Sequence, residues 1–160
     1  MKIGGFNETG NINGNYRCSA RFMGILPAIR IYNPSNTSCE IYGTTIHELA
    51  HASHFNMKKT DYRPSDDKVK ESWARGVQWD LTRMIYPNYN PSEFRPKYTL
   101  VVRDMIDGLS GYDQVSGYNI RQIEDALQGK RTWNEWKDNI KNSYNNATEN
   151  NLDALFNYWN

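Results

Sequence analysis

All three histidines of this 160-residue chain fall within eight positions, as His47, His51 and His54. With Glu48, the first two read H-E-x-x-H, a spacing whose chemistry follows from helix geometry. Positions i and i+4 stand one above the other on one helix face. His47 and His51 can therefore turn ring nitrogens to a single ion about 2.0–2.1 Å away. Imidazole nitrogens suit Zn²⁺, and the Glu48 carboxylate, on the edge of the same face, can take a proton from a water activated there. Side chains of these types at this spacing point to metal-assisted hydrolysis, with the amide bond the first candidate.

By composition alone the pattern arises by accident in on the order of one per cent of chains this long, so its surroundings decide. Thr37 and Glu40 read as a T-x-x-E capping box, and Ile41, Tyr42, Ile46, Leu49 and Ala50 follow at helical spacing. No proline falls between Pro34 and Pro64. A helix over roughly residues 38–57 is predicted, with the motif in its middle. The plain alternative is a pair of surface histidines on an ordinary amphipathic helix.

Two histidines need a third protein ligand. His54 returns almost to the face of His47, yet at 1.5 Å per residue it lies about 10 Å along the axis, too far to share an ion with bonds of about 2 Å. It reads as a rim group or an ordinary surface residue. A carboxylate must then complete the site, and Glu71 is the best placed. It sits near the start of a second predicted helix, about 68–86, with Ala74, Gln78, Leu81 and Ile85 on its own face and Trp73, Val77 and Met84 on the other. A helix apolar around most of its circumference is packed against something, so a glutamate there points into structure. Asp61, Asp66 and Asp67 compete from the connecting loop, and a solvated Glu71 beside Lys68 and Lys70 is the plain alternative.

His47-Glu48-x-x-His51, followed twenty positions after the second histidine by Glu71 in Glu71-Ser72-Trp73-Ala74, resembles the gluzincins, zinc peptidases whose third protein ligand is a glutamate on the next helix. The resemblance covers roughly residues 25–75, and its H-E-x-x-H half is the more specific. It implies that His47, His51 and Glu71 hold Zn²⁺, that Glu48 is the general base and that the substrate is a peptide or protein. Metzincins fit worse, because their longer motif needs Gly at 54 and His at 57, where this chain has His54 and Met57. Aspzincins would use Asp61, but their glycine-flanked motif is absent around Thr60-Asp61-Tyr62. One departure stands out: many gluzincins carry an acid one turn after the ligand glutamate to hold the first histidine, and here that region reads Ala74-Arg75. Some other group must hold it.

The remaining sequence constrains how these residues are positioned. With 38% hydrophobic and 13% aromatic residues, the chain reads as one domain, residues 1–160, alone or within a longer exported protein. Tyr16 to Phe22 alternates like a strand and Ile25 to Tyr32 reads as another. Zincins place an edge strand before the metal helix for peptides to pair with, and Ala28, Ile29, Arg30 and Ile31 are the candidates for that role, against an ordinary core-closing hairpin. Downstream, helical stripes run from Tyr98 to Leu109, from a Ser116 cap through Ile120, Ile123 and Leu127 to Gly129, and from a Thr132/Glu135 box through Trp136 and Ile140. A last segment holds Leu152, Leu155, Phe156 and Trp159. The expected fold is α+β and zincin-like, mainly helical with a small antiparallel β-sheet before the motif helix. With no histidine left to stabilise an oxyanion, Tyr112 and Tyr118 in the glycine-broken loop at 111–118 are candidates.

A formal net charge of +1 and the absence of any Lys/Arg run argue against nucleic acid, and no stretch is long and apolar enough to span a membrane. Abundant Asn, Tyr and Trp suit a secreted, periplasmic or cell-surface protein, and a monomer is expected. Cys18 and Cys39 form either a disulfide or two free thiols. The rival function is a catalytically inactive metal-binding module of a larger extracellular protein.

Overall fold

The structure, a computed structural model, describes residues 2–6, 13–17, 28–32, 37–92, 95–109 and 112–160. It is mainly helical, and its strands come first: β1 (Lys2–Phe6), β2 (Asn13–Arg17) and β3 (Ala28–Tyr32). β2 and β3 pair antiparallel, with Tyr16 opposite Ile29, as a hairpin would. β1, however, lies parallel to β3 on its other side, so the sheet is mixed and runs in the order β1-β3-β2. This corrects the antiparallel expectation. It also removes Ala28, Ile29, Arg30 and Ile31 from an edge, since both sides of β3 are hydrogen-bonded and cannot accept a further strand. β2 is the edge nearer the motif helix. The remainder of the two expected strands, residues 18–27, lies outside the described residues, as does Cys18.

α1 (Ser38–Met57) matches the predicted motif helix, and Thr37 Oγ1 accepts from the Glu40 N–H at 3.4 Å. Ile29 and Ile31 are buried, and Tyr16 meets Phe55 of α1 edge to face at 6.1 Å, which fastens the sheet to the helix. A short helix α2 (Lys59–Tyr62) turns the chain into α3 (Asp67–Arg83), which packs along α1. Trp73, Ala74 and Gln78 are buried as expected of a packed helix, whereas Met84 and Ile85 lie past its end and are 70% and 60% exposed.

α4 is shorter than its apolar stripe, Val101–Ile106, and crosses α3 at Gly76. A Cβ there would lie 2.2 Å from Val102, so the two helices approach this closely only because residue 76 has no side chain. α5 (Ile120–Leu127) is capped by Asn119 and Gln122 and not by Ser116, whose backbone instead bonds Thr148 and Asn146. α6 (Trp133–Ser143) keeps the expected Thr132/Glu135 capping box, and a 3₁₀ turn leads into α7 (Leu152–Tyr158). Val69 and Trp73 of α3 join Val101, Met105, Ile123, Leu127, Trp136, Ile140 and Phe156 in one apolar core. Burial of each aromatic ring there removes about 150–250 Å² from water, enough to anchor α3 rigidly behind the motif helix. Among the described residues no helix is long and apolar enough to cross a membrane.

Candidate metal centre

α1 and α3 face each other across their polar sides, and His47, His51 and Glu71 meet there. His47 Nε2 and His51 Nε2 are 3.1 Å apart, and Glu71 Oε2 is 3.1 and 3.2 Å from them. Three ligands bonded at about 2.0–2.1 Å in a tetrahedral shell are separated by about 3.3–3.4 Å, so the triangle is within a few tenths of an ångström of the size that Zn²⁺ would need.

The protonation of the triangle also fits a cation. Gln78 Oε1 lies 3.2 Å from His47 Nδ1 and can only accept, so Nδ1 carries the proton and Nε2 a lone pair. Burial holds the His47 ring well down, to about 4, against the pull of Glu71, which keeps it neutral at pH 7. Tyr62 Oη sits 3.2 Å from His51 Nδ1 and, as a hydroxyl, can serve it as donor or acceptor. The His47 Nε2 lone pair and a Glu71 carboxylate oxygen thus face one point, with His51 Nε2 beside them, an arrangement that a cation between them would relieve.

Gln78 supplies the hold on His47 that the acid missing at Ala74-Arg75 would give, and its own Nε2 donates to Tyr89 Oη. Seven residues separate Gln78 from Glu71, two turns along one face, so the sequence did carry a signal for it. Tyr62 had none: it reaches His51 only because α2 folds back beneath α1.

Glu48 is buried beside the triangle, where the backbone N–H of Tyr16 donates to its carboxylate. Burial, with Glu71 nearby and against the opposing effect of His51, pushes its carboxyl up to about 7. Gly14 of β2 lies so near that a Cβ would come within 2.5 Å of Glu48 Oε1, so only glycine leaves the carboxylate room. All four residues line a cavity of about 610 Å³, whose wall also includes Gly14, Tyr16, Lys70, Arg75, Tyr89 and Tyr98.

Other expectations fall elsewhere. His54 does not join the triangle, as its helical rise required, but it is 5% exposed and packs edge to face on Tyr62 at 4.9 Å, so it is no surface residue. Asp61 is bound by Arg131 and by Lys58 at 2.6 Å, and Asp67 by Lys97 and Lys70. With Asp66 they stay out of the cluster. Tyr118 is buried in the apolar core and Tyr112 stacks on Tyr158 with ring centres 4.0 Å apart; neither reaches the cavity. Tyr98 does line it: its ring lies 6.0 Å from that of His47, centre to centre, and its phenol interacts with Glu71. Compared with models of known families, with curated proteins and with solved structures, the chain matches none.

Proposed function

We propose that the chain is a zinc-dependent metallopeptidase of the gluzincin kind, with a zincin-like fold that presents α1 and α3 to a peptide or protein substrate. The convergence of His47 Nε2, His51 Nε2 and Glu71 Oε2 on one point carries this reading. Zn²⁺ bound there supplies Lewis acidity that lowers the pKa of water and polarises a carbonyl.

The chain's own groups do the rest. Glu48, aimed by the Tyr16 N–H and confined by Gly14, takes the attacking water's proton and passes it to the leaving amine. Tyr98, in the cavity wall, offers its O–H to the oxyanion in place of Tyr112 and Tyr118. Gln78 and Tyr62 fix the histidine rings from behind. Gly14 and Tyr16 border the cavity, so an extended peptide runs along the edge strand β2 and not along β3.

Glu48→Gln is the test. The variant should keep its zinc, measured by mass spectrometry, and lose peptide hydrolysis by about 10²–10⁴-fold, because the amide preserves size but cannot serve as base. Turnover within about threefold of wild type would remove Glu48 from the mechanism. Zinc in the wild type with no hydrolysis of any peptide library would favour a metal-binding module instead.

A further inference from the structure

Arg75, one turn beyond Glu71 on α3, is a half-buried cation in the cavity wall that feels the Glu71 carboxylate but forms no ion pair among the described residues. Its Nη1 donates to Gln78 Oε1 at 3.2 Å and its guanidinium lies over the Tyr98 ring at 5.0 Å, but its Nε is buried without a partner. Arg103, also half-buried, is by contrast bonded to Asp104 at 2.6 Å, and even the exposed Arg131 is paired with Asp61. Lys70, also in the wall, is committed to Asp67 at 3.0 Å. Removing a guanidinium from water without an anion is costly unless an anion arrives with the ligand. Its planar fork matches a carboxylate in two parallel hydrogen bonds. A divalent ion at the triangle offsets Glu48 and Glu71, which leaves the charge of Arg75 to face whatever enters the cavity.

We propose that Arg75 anchors a carboxylate of the bound peptide, so that the cavity selects substrates carrying one close to the scissile bond. This rests on the peptidase reading for its substrate, though the anchor itself does not require turnover. The carboxylate is either the α-carboxylate of a C-terminal residue or the side chain of an internal Asp or Glu, and the two are separable by experiment.

Calorimetric titrations would use four probes: acetyl-Ala-Ala as free acid, acetyl-Ala-Ala amide, acetyl-Ala-Glu amide and acetyl-Ala-Gln amide. Each is titrated into zinc-loaded and metal-free wild type, Arg75→Gln and Arg75→Lys, with metal content measured on the same samples. Working in metal-free protein separates Arg75 from direct capture of the acid by zinc. Wild type should bind one acidic probe about tenfold or more tighter than its neutral counterpart, with and without metal. A preference for the free acid identifies the α-carboxylate, and one for Glu over Gln identifies the side chain. Arg75→Gln should erase the preference, and Arg75→Lys should retain part of it, which shows that the fold is intact. If neither acid is preferred, if no probe binds, or if Arg75→Gln keeps the preference, the anchor is overturned. If the preference behaves as expected but no peptide is ever hydrolysed, the peptidase reading falls and the anchor stands.

Discussion

Two groups of three metal-type side chains converge among the described residues, each with ligand atoms within 4.8 Å: His47, His51 and Glu71, and Asp104, Asp107 and Asp113. By distance they are alike, but their bonding differs. In the first, the outer nitrogens are held by Gln78 and Tyr62 and the inner atoms face only one another. In the second, Asp104 is fully engaged: Oδ1 accepts from Arg103 at 2.6 Å, and Oδ2 accepts from Trp159 Nε1 at 2.7 Å and Tyr112 Oη at 3.2 Å. It ties α7 to α4. Asp113 Oδ1 accepts from the Val115 N–H at 2.9 Å, while Asp113 Oδ2 and Asp107 Oδ1 are buried without a partner. Burial, opposed by the Val115 bond, pushes the Asp113 carboxyl up to about 6, within reach of neutralisation by a proton. Two clusters that match in ligand-atom spacing thus differ in commitment: none of the three facing atoms of the first is bonded outside the group, whereas the second has one carboxylate fully spent on Arg103, Trp159 and Tyr112.

The largest expected effect is on metal content. Wild type should bind zinc near one to one, and His47→Ala combined with His51→Ala should reduce this to near none, whereas Asp107→Asn should leave it unchanged. Native mass spectrometry reads both, and zinc lost from the aspartate variant would undo the contrast. Glu71→Ala should weaken zinc far more than Asp61→Ala, because Asp61 is already paired with Arg131 and Lys58.

A smaller effect separates the holders from the held. Gln78→Leu and Tyr62→Phe should each lower zinc affinity by about 10–100-fold without abolishing it, measured by chelator competition. An unchanged affinity in both would mean that the rings are fixed by packing alone.

The smallest effect belongs to the second cluster. Asp113 has a folded pKa of about 6, above its ordinary 3.8, so the native state holds this proton more tightly than the unfolded chain. Ionisation then costs stability that is intact below about pH 4 and lost as the pH rises through 6. Asp113→Asn should raise the melting temperature at pH 7.5 by roughly 2–4 °C, with the gain vanishing near pH 4. A gain that is equal at both pH values would show that the buried charge is not the cause.

What the sequence revealed of all this follows the range of the forces involved. α1, its Thr37 cap and the Thr132/Glu135 box were legible because capping and helical periodicity act within four residues. The triangle was legible because its two histidines share a helix and the glutamate had few competitors. β1 was not: Gly4 and Gly5 have poor strand propensity, and only pairing with β3, more than twenty residues on, makes that segment a strand. That one unseen neighbour is why residues 28–31 read as an edge. Tyr112 and Tyr118 lie in or beside a glycine-broken loop, but loop composition does not tell which way a ring turns, and the core takes Tyr118. Tyr98 reaches the cavity through the packing of a distant segment, which no local pattern encodes, whereas Arg75 stands one turn after Glu71 on the same helix, a spacing the sequence does carry.

Gln78 Oε1 accepts from both His47 and Arg75, at 3.2 Å each. One amide oxygen thus joins the group that would bind metal to the group that would bind anion, and the two equilibria cannot be independent. By thermodynamic reciprocity, whatever factor zinc applies to the affinity for an acidic ligand, that ligand applies to the affinity for zinc. Replacing Gln78 should reduce this mutual factor towards unity even where each ligand still binds alone.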